Sequence, residues 1–337
     1  MLLNVGCSFF RRVTMRSQKL VMPFVVLAVL NFVLLPTLNA EKTSTKTVTK
    51  YARFQAGDTV AYGIVEGKRI RQISGDLFGK WKKTDKTYSL DDVKLLVPTK
   101  PTQVIALAGN YRSHLSKGDT TTTITTVTTV VESGETGKTS TETTTTTEVR
   151  RPNEVPEKFQ IPQPFFKSPS CLTANGTNIV IPKGADTVHF EAELVIVIGR
   201  KAKNVNKDKA LDYVFGVTCG NDVSARVWQK NDVQWWRAKG TDTFGPCGPF
   251  IVSGIDYDNI LGTLRLNGEV KQRESTHYMI NDVATTVSFI SQHVTLHPGD
   301  LIFTGTSGKT SSITPGDVVE VEFEGVGVLK NTVAAEK

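Results

Sequence analysis

Short runs of β-branched and aromatic residues recur along most of the chain, and Gly, Pro and Asp bound many of them. This pattern predicts strands, since such residues favour extended structure and turn residues separate one strand from the next. The predicted strands cover residues 179–181, 189–198, 250–253, 263–266, 301–304 and 318–323. Helical periodicity is confined to residues 210–213, 225–229 and 283–293. Without a βαβ rhythm, the sequence predicts a mainly β fold with some α, arranged as a mixed roll or sandwich.

Turn signals and prolines divide the chain into two parts. Residues 41–98 contain strand-like runs between turns such as Gly57-Asp58 and Glu66-Gly67, which predicts a small β-rich N-terminal domain. Pro98 and Pro101 mark its end. Residues 99–335 are predicted to form the main domain.

The first 40 residues differ in kind from the rest. A basic front (Arg11, Arg12, Arg16 and Lys19) precedes an apolar stretch at residues 20–35 and the small residue Ala40. This order is typical of a secretory signal peptide, so residues 1–40 predict export to the periplasm or outside the cell. An N-terminal membrane anchor is the alternative. It is weaker, because the stretch is shorter than the ~20 residues that span a bilayer.

Residues 119–149 form an unusual insert within the main domain. From residue 120 to 148 more than half of the residues are Thr, and a Ser133–Gly137 centre interrupts them. Thr favours extended structure and the Gly-containing centre favours a turn, which predicts a long β-hairpin arm. A flexible Thr-rich linker or an O-glycosylated segment are the alternatives.

Composition narrows the class of protein. The chain has 337 residues, 39% of them hydrophobic, which allows a sizeable core. Removing the four basic residues of the leader from the 40 in the chain leaves 36 against 33 acidic ones, a formal charge of +3. This charge gives no reason to expect nucleic-acid binding. After the leader, Cys171, Cys219 and Cys247 remain, without zinc spacing or a disulfide framework.

Three carboxylates stand beside predicted strands. Glu191 and Glu193 flank Ala192 at the head of a hydrophobic run, where residues i and i+2 of a strand share one face. Asp222 follows another strand-like run and precedes a helical one. Neighbouring buried carboxylates repel each other, and a hard divalent cation removes that repulsion. A solvent-facing strand edge and a helix N-cap are the alternatives for these positions.

Several separated blocks resemble the fumarylacetoacetate hydrolase family, and they follow the family order over nearly the whole chain after the leader. The most specific is His189-Phe190-Glu191-Ala192-Glu193-Leu194, which resembles the family's metal strand. The others are Asn110-Tyr111-Arg112-Ser113-His114, Pro164–Lys167 (one residue tighter than the family spacing), Asn221–Arg226, Lys239 with Asp242–Phe244, Asn267–Glu269 and Thr304–Thr306. Within the family, the chain is most similar to the 2-hydroxyhepta-2,4-diene-1,7-dioate isomerase and hydrolase type.

The resemblance implies a β-roll enzyme, usually a homodimer, that uses Mg²⁺, Mn²⁺ or Ca²⁺ on a small oxo- or hydroxy-acid. The implied reaction is hydrolysis, C–C or C–N cleavage, or isomerisation through a metal-stabilised enolate-like intermediate. By position, Glu191, Glu193 and Asp222 would hold the metal, and His114 and Lys239 would be catalytic. The substrate-binding candidates are Tyr111, Arg226, Gln229 and Thr306.

The chain departs from the family pattern beside His114. Many members have a Glu three positions after this histidine, whereas this chain has Lys117. A cation there cannot stabilise an imidazolium, which argues against water activation by a His-Glu pair. The alternative function is therefore an exported metal-binding protein with lost or altered catalysis, whose Thr-rich arm mediates assembly or binding.

Overall fold

A computed structural model of the chain describes residues 47–115, 122–128, 142–148 and 155–337. The predicted signal peptide, Lys117 and the centre of the Thr-rich insert lie outside the described residues. In the described ranges, no helix is long and apolar enough to cross a membrane.

Strands dominate the described part of the chain, as the sequence predicts. They are β1 (Thr49–Ala56), β2 (Thr59–Glu66), β3 (Arg69–Gly75), β4 (Trp81–Ser89), β5 (Lys94–Leu95), β6 (Val104–Leu107), β7 (Thr122–Thr128), β8 (Glu142–Glu148), β9 (Pro164–Lys167), β10 (Leu172–Thr173), β11 (Asn178–Ile181), β12 (Val188–His189), β13 (Ala192–Ile198), β14 (Val214–Asn221), β15 (Ser224–Ala225), β16 (Gly245–Ser253), β17 (Leu261–Leu266), β18 (Glu269–Ser275), β19 (Leu301–Phe303), β20 (Val318–Phe323) and β21 (Gly327–Ala335). The α-helices are α1 (Arg112–Leu115), α2 (Lys207–Ala210), α3 (Arg226–Asn231), α4 (Trp236–Gly240) and α5 (Val283–His293). Short 3-10 turns occupy Leu90–Asp92, Glu157–Phe159, Pro169–Cys171, Leu211–Tyr213 and Thr276–Tyr278.

Two mixed sheets carry the architecture. The larger has twelve strands, ten of them in the order β4-β3-β2-β1-β16-β14-β13-β19-β6-β9, with β5 and β10 attached to its side. The smaller has the order β11-β21-β20-β17-β18. Strands β1 to β5 of the predicted N-terminal domain thus join the same sheet as the main domain, through the pairing of β1 with β16. Outside these sheets, β7 pairs with β8 in antiparallel register within the Thr-rich insert.

The central strand β13 is buried on both faces. Leu194 packs in a hydrophobic cluster with Leu264 and Val321 of the smaller sheet, while Ile196 packs in a cluster with Val287 of α5. Val195, which points the other way, belongs to a third cluster. This burial explains why the strand reads as a continuous hydrophobic run rather than an alternating one.

The mainly β class with some α is confirmed, and two elements match their predicted bounds, α5 and β20. The predicted strand at residues 189–198 is wrong in one respect, because it is divided between β12 and β13. At the division, the Glu191 N–H donates to Asn221 Oδ1 at 2.9 Å, and the Asp222 N–H donates to the Glu191 carbonyl at 2.9 Å. A side-chain acceptor therefore interrupts the regular strand pairing, and Glu191 precedes the strand that carries Glu193. The predicted helix at 210–213 falls on the last residue of α2 and on the 3-10 turn Leu211–Tyr213. The predicted helix at 225–229 corresponds to α3, which begins one residue later and extends to Asn231.

Asp300 directly precedes β19, and its hydrogen bonds link this part of the chain to the residues just before β6. It is fully buried, and its carboxylate accepts hydrogen bonds from the backbone N–H groups of Thr102, Gln103 and His297, at 2.9, 3.1 and 2.7 Å. The side chains of Thr102 and Gln103 also donate to it. One carboxylate therefore satisfies five donors at the point where two parallel strands begin.

Replacing Asp300 with alanine is expected to destabilise the fold by at least about 3 kcal/mol, because buried donors without acceptors each cost about 1–3 kcal/mol. Thermal unfolding of the variant measures the loss. Asp186→Ala, at an exposed position, is the matched control and should leave the melting temperature unchanged. Equal melting temperatures for the two variants would contradict the structural role of Asp300.

Candidate active site

Three acidic side chains meet at the head of β13. Ligand atoms of Glu191, Glu193 and Asp222 all lie within 4.8 Å of one another. The residues are only 5%, 1% and 0% exposed, respectively. A buried cluster of this kind excludes the alternative of a solvent-facing strand edge.

The pairing of β13 with β14 brings the three residues together. Ala192 lies opposite Asn221, so the residues that flank them, Glu191, Glu193 and Asp222, converge from two chain segments. The Glu193 carboxylate accepts a hydrogen bond from the Gly305 N–H at 2.8 Å. Long-range strand pairing, rather than spacing along one strand, thus builds the cluster.

Two buried lysines accompany the carboxylates. Lys239 of α4 places its Nζ 2.6 Å from Glu191 Oε2 and 2.7 Å from Asp222 Oδ2. Lys167 of β9 places its Nζ 2.5 Å from Asp222 Oδ1, and it also donates to the backbone carbonyls of Lys239 and Phe244. Lys239 also lines a cavity beside the cluster, whereas Lys167 does not belong to the lining of that cavity.

The charges in the cluster shift the pKa values of its two glutamates in opposite directions. Burial opposes the ionised form of Glu191, but the cations of Lys239 and Arg226 outweigh this effect and lower its pKa to about 2. Burial, together with the Asp222 and Glu191 carboxylates, raises the pKa of Glu193 well above its ordinary value. Burial alone would lower the pKa of Lys239, yet Asp222 and Glu191 raise it.

Glu193 shows that the cluster fits a divalent cation. Among the described residues, no Lys, Arg or His lies within ion-pairing distance of its carboxylate, although Glu191 and Asp222 each have such a partner. The Gly305 N–H and the nearby charge of Lys239 compensate the repulsion that raises its pKa only in part. Three converging carboxylates are the donor set that hard cations such as Mg²⁺ or Mn²⁺ prefer.

A cavity of ≈ 360 Å³ opens beside this cluster. Its polar lining consists of Glu191, Lys239, His114, Arg226, Gln229 and Thr306, with Lys158 as a further cation. Phe159, Phe165 and Trp235 contribute apolar surface. Cations thus outnumber carboxylates in the lining, which favours a small anionic ligand with an apolar portion.

Most of the predicted site residues therefore meet at one place. Arg226 donates to Glu191 Oε1 at 2.6 Å, to Gln229 Oε1 at 2.8 Å and to Thr310 Oγ1 at 2.8 Å. Tyr111 is different, because it is 3% exposed and does not belong to the cavity lining. Burial raises the pKa of its hydroxyl. Its role in substrate binding stays a prediction, since Glu193 and Asp222 are at least as buried and likewise lie outside the lining.

Sequence reasoning missed two supporting residues. Lys167 belongs to a block that resembles the family, but its identity alone does not show that it binds Asp222. Gln272 of β18 is 4% exposed, accepts from the Ala192 N–H at 3.1 Å and donates to Thr306 Oγ1 at 3.0 Å. It gives no sequence signal, because a single Gln in an exposed-looking strand has no motif around it.

Comparisons with known proteins agree with this geometry. Residues 103–334 match the model of the fumarylacetoacetate hydrolase C-terminal family, and residues 49–98 match an Rv2993c-like N-terminal family. The Mycobacterium tuberculosis protein Rv2993c is 36% identical over 294 residues, which are 84% of this chain and 97% of that protein.

Two solved structures are similar over most of the described chain. The 2-hydroxyhepta-2,4-diene-1,7-dioate isomerase from Mycobacterium marinum is 34% identical with a TM-score of 0.69, covering 86% of this chain and 99% of its own. The 5-carboxymethyl-2-hydroxymuconate delta-isomerase from Mycobacterium smegmatis is 33% identical with a TM-score of 0.70, covering 85% of this chain and 100% of its own. The family resemblance predicted from the sequence is thereby confirmed.

Proposed function

Because the chain belongs to the fumarylacetoacetate hydrolase family, we propose that it is a divalent-metal-dependent enzyme acting on a small oxo- or hydroxy-acid. The observation that carries the proposal is the cluster of Glu191, Glu193 and Asp222, in which Glu193 has no cation within ion-pairing distance among the described residues. Glu191 of this cluster lines the cation-rich cavity. The names of the two mycobacterial relatives favour isomerisation of an unsaturated 2-hydroxy acid that carries two or three carboxylates. Hydrolysis or C–C cleavage of a related acid are the other reactions within the proposal.

Different residues of the chain have different roles in the proposed chemistry. Glu191, Glu193 and Asp222 would hold the cation, with Mg²⁺ the first choice and Mn²⁺ or Ca²⁺ the alternatives. When bound, the cation supplies Lewis acidity for a substrate oxygen. Lys239 adds a fixed positive charge at the same wall of the cavity, where negative charge on the substrate is stabilised.

Three further residues, Arg226, Gln229 and His114, act on the substrate itself. Arg226 and Gln229 line the cavity and orient a carboxylate, since a guanidinium binds planar anions well. His114 lines the same cavity and accepts or donates a proton, the role in which imidazole most often serves in enzymes.

A metal-supplemented screen of oxo-acids tests the proposal. Wild type with Mg²⁺ or Mn²⁺ should turn over at least one acid, and Glu193→Ala should not. Asp186→Ala, an exposed carboxylate, is the control for loss of charge. Metal binding without turnover of any acid would favour the alternative, a metal-binding protein without catalysis. Neither binding nor turnover would contradict both.

Replacing His114 with glutamine separates proton transfer from metal binding. We expect kcat for the identified substrate to fall by about 10²–10⁴, the range for loss of a general acid-base group. Affinity for Mn²⁺, measured by calorimetry, should stay within twofold of wild type. An unchanged kcat would remove His114 from the proposed chemistry.

We also propose that the protein is exported and forms a homodimer. The leader pattern of residues 1–40 supports export, and N-terminal sequencing of the mature protein should begin after Ala40. An intact N-terminus would contradict cleavage and favour the anchor.

Adjacent exposed apolar side chains, Phe166, Val233 and Trp236, support self-association. Sedimentation analysis should give a dimer for wild type and a monomer for Trp236→Glu.

A further inference from the structure

A chain of hydrogen bonds joins His114 to Glu274 of β18. The His114 Nδ1 lies 2.8 Å from the Gly308 carbonyl oxygen. The Gly308 N–H donates to Ser113 Oγ at 2.9 Å. The Ser113 hydroxyl donates to Glu274 Oε2. Three separate chain segments therefore meet behind the histidine of the cavity.

The first bond determines where the imidazole carries its proton. A backbone carbonyl can only accept a hydrogen bond, so His114 Nδ1 must be the donor. In the neutral ring, Nε2 is then the nitrogen with a free lone pair. The contact with Gly308 thus selects the tautomer whose Nε2 can accept a proton.

The other two bonds give Gly308 a fixed position. An ionised carboxylate is an acceptor only, so Glu274 takes the single proton of the Ser113 hydroxyl. The Ser113 oxygen is then free to accept from the Gly308 N–H. The Gly308 N–H can only donate, so the charge on Glu274 decides only the direction of the bond between Ser113 and Glu274.

The backbone at Gly308 is suited to this double contact. Its φ is +58°, a left-handed conformation that glycine adopts readily. A Cβ atom added there would meet no atom within 4 Å, so conformation rather than space accounts for the glycine. In this conformation both its N–H and its carbonyl reach α1, which carries Ser113 and His114.

Strand β18 supports the site at two positions on one face. Gln272 and Glu274 are two residues apart, which places them on the same side of the strand. Gln272 binds Ala192 and Thr306 beside the carboxylates, and Glu274 binds Ser113 beside the histidine. The edge strand of the smaller sheet therefore positions both halves of the site.

We propose that Glu274 is a positioning residue which, through Ser113 and Gly308, holds His114 in the Nδ1–H tautomer with Nε2 as the proton acceptor. This inference rests on the proposed function and assigns the carboxylate that position 117 lacks. Many family members have a carboxylate three residues after the histidine. In this chain Glu274, from a distant strand, takes its place and acts through Ser113 and the Gly308 carbonyl.

Nitrogen-15 NMR of the histidine side chains tests the tautomer directly, using the full chain with Mg²⁺ at a pH where the imidazole is neutral. The His114 signals are identified by their absence in His114→Gln. Wild type should show a protonated Nδ1 and an unprotonated Nε2. In Glu274→Ala and Ser113→Ala the Nδ1–H form should lose its predominance, and Ser113→Thr, which keeps the hydroxyl, should restore it. Glu269→Ala, an exposed carboxylate on the same strand, is the matched control.

Kinetics give a second readout once a substrate is known. Glu274→Ala and Ser113→Ala should lower kcat about tenfold and leave KM within twofold, because a residue that orients a catalytic group typically contributes a factor of about 10–100. If Glu274→Ala does not fold, Ser113→Ala, which removes a single oxygen, shows by itself whether the hydrogen-bond chain positions His114. Unchanged His114 tautomer in both variants overturns the inference. A wild type without turnover overturns the proposed function instead, and the NMR result still decides the role of Glu274.

Discussion

Glu193→Gln is expected to lose divalent-metal binding and, with it, all metal-dependent turnover. The amide keeps the shape of the side chain and removes the charge that Glu191 and Asp222 cannot replace, since both already bind lysine or arginine. Titration calorimetry with Mn²⁺ should show affinity reduced by more than the 10–100-fold typical of residues that only support metal ligands.

The same substitution should stabilise the metal-free protein. The raised pKa of Glu193 means that its ionised form is disfavoured by burial and by the neighbouring carboxylates. A glutamine at this position removes that repulsion, so the metal-free variant should melt above metal-free wild type at neutral pH. Gln163→Glu, on the exposed side of the chain entering β9, is a control for a change between amide and carboxylate. If Glu193→Gln retains wild-type Mn²⁺ affinity, this carboxylate does not hold the metal.

Lys167→Met is expected to destabilise the protein by about 3–5 kcal/mol, the range for removing one partner of a buried ion pair. The Lys167 side chain is 0% exposed, and its three partners are Asp222 and the carbonyls of Lys239 and Phe244. Methionine fills a similar volume but donates to none of them. Chemical denaturation of the two proteins measures the difference in free energy of unfolding.

Two matched variants separate this structural effect from catalysis. Lys80→Met, at an exposed position, should be as stable as wild type. Lys239→Met should also lose stability, because Lys239 pairs with buried Glu191 and Asp222. Unlike Lys167→Met, it should in addition reduce kcat of the folded protein, because Lys239 lines the active-site cavity and Lys167 does not. A Lys167→Met variant as stable as Lys80→Met would show that the lysine is not needed to compensate Asp222.

The sequence predicts which residues form the site better than it predicts the contacts that bring them together. The carboxylates of Glu191, Glu193 and Asp222 were found because strand patterning and family blocks indicate the same positions. Their common burial, however, comes from the pairing of Ala192 with Asn221, a long-range contact that no local pattern contains. The strand break at Glu191 was missed because Asn221 replaces a backbone partner with a side-chain oxygen.

The same limit applies to residues that act from a distance in sequence. Asn110 illustrates it within a recognised block: its side chain donates to the Thr304 carbonyl at 2.8 Å and accepts from the Asn281 N–H at 2.8 Å, so it joins loops rather than binding substrate. Gln272 and Glu274 lie in a strand whose family block ends at Glu269, before either residue. Their roles depend on which sheet edge faces the site, and that is determined only by the complete fold.

Anomalous diffraction from crystals of the protein soaked in Mn²⁺ tests the central claim most directly. We expect a single strong manganese peak bonded to carboxylate oxygens of Glu191, Glu193 and Asp222, and no such peak in Glu193→Gln crystals treated in the same way. A wild-type crystal at saturating Mn²⁺ with no peak among these three side chains, and with Lys239 still bridging Glu191 and Asp222, would contradict the metal site and the function proposed from it.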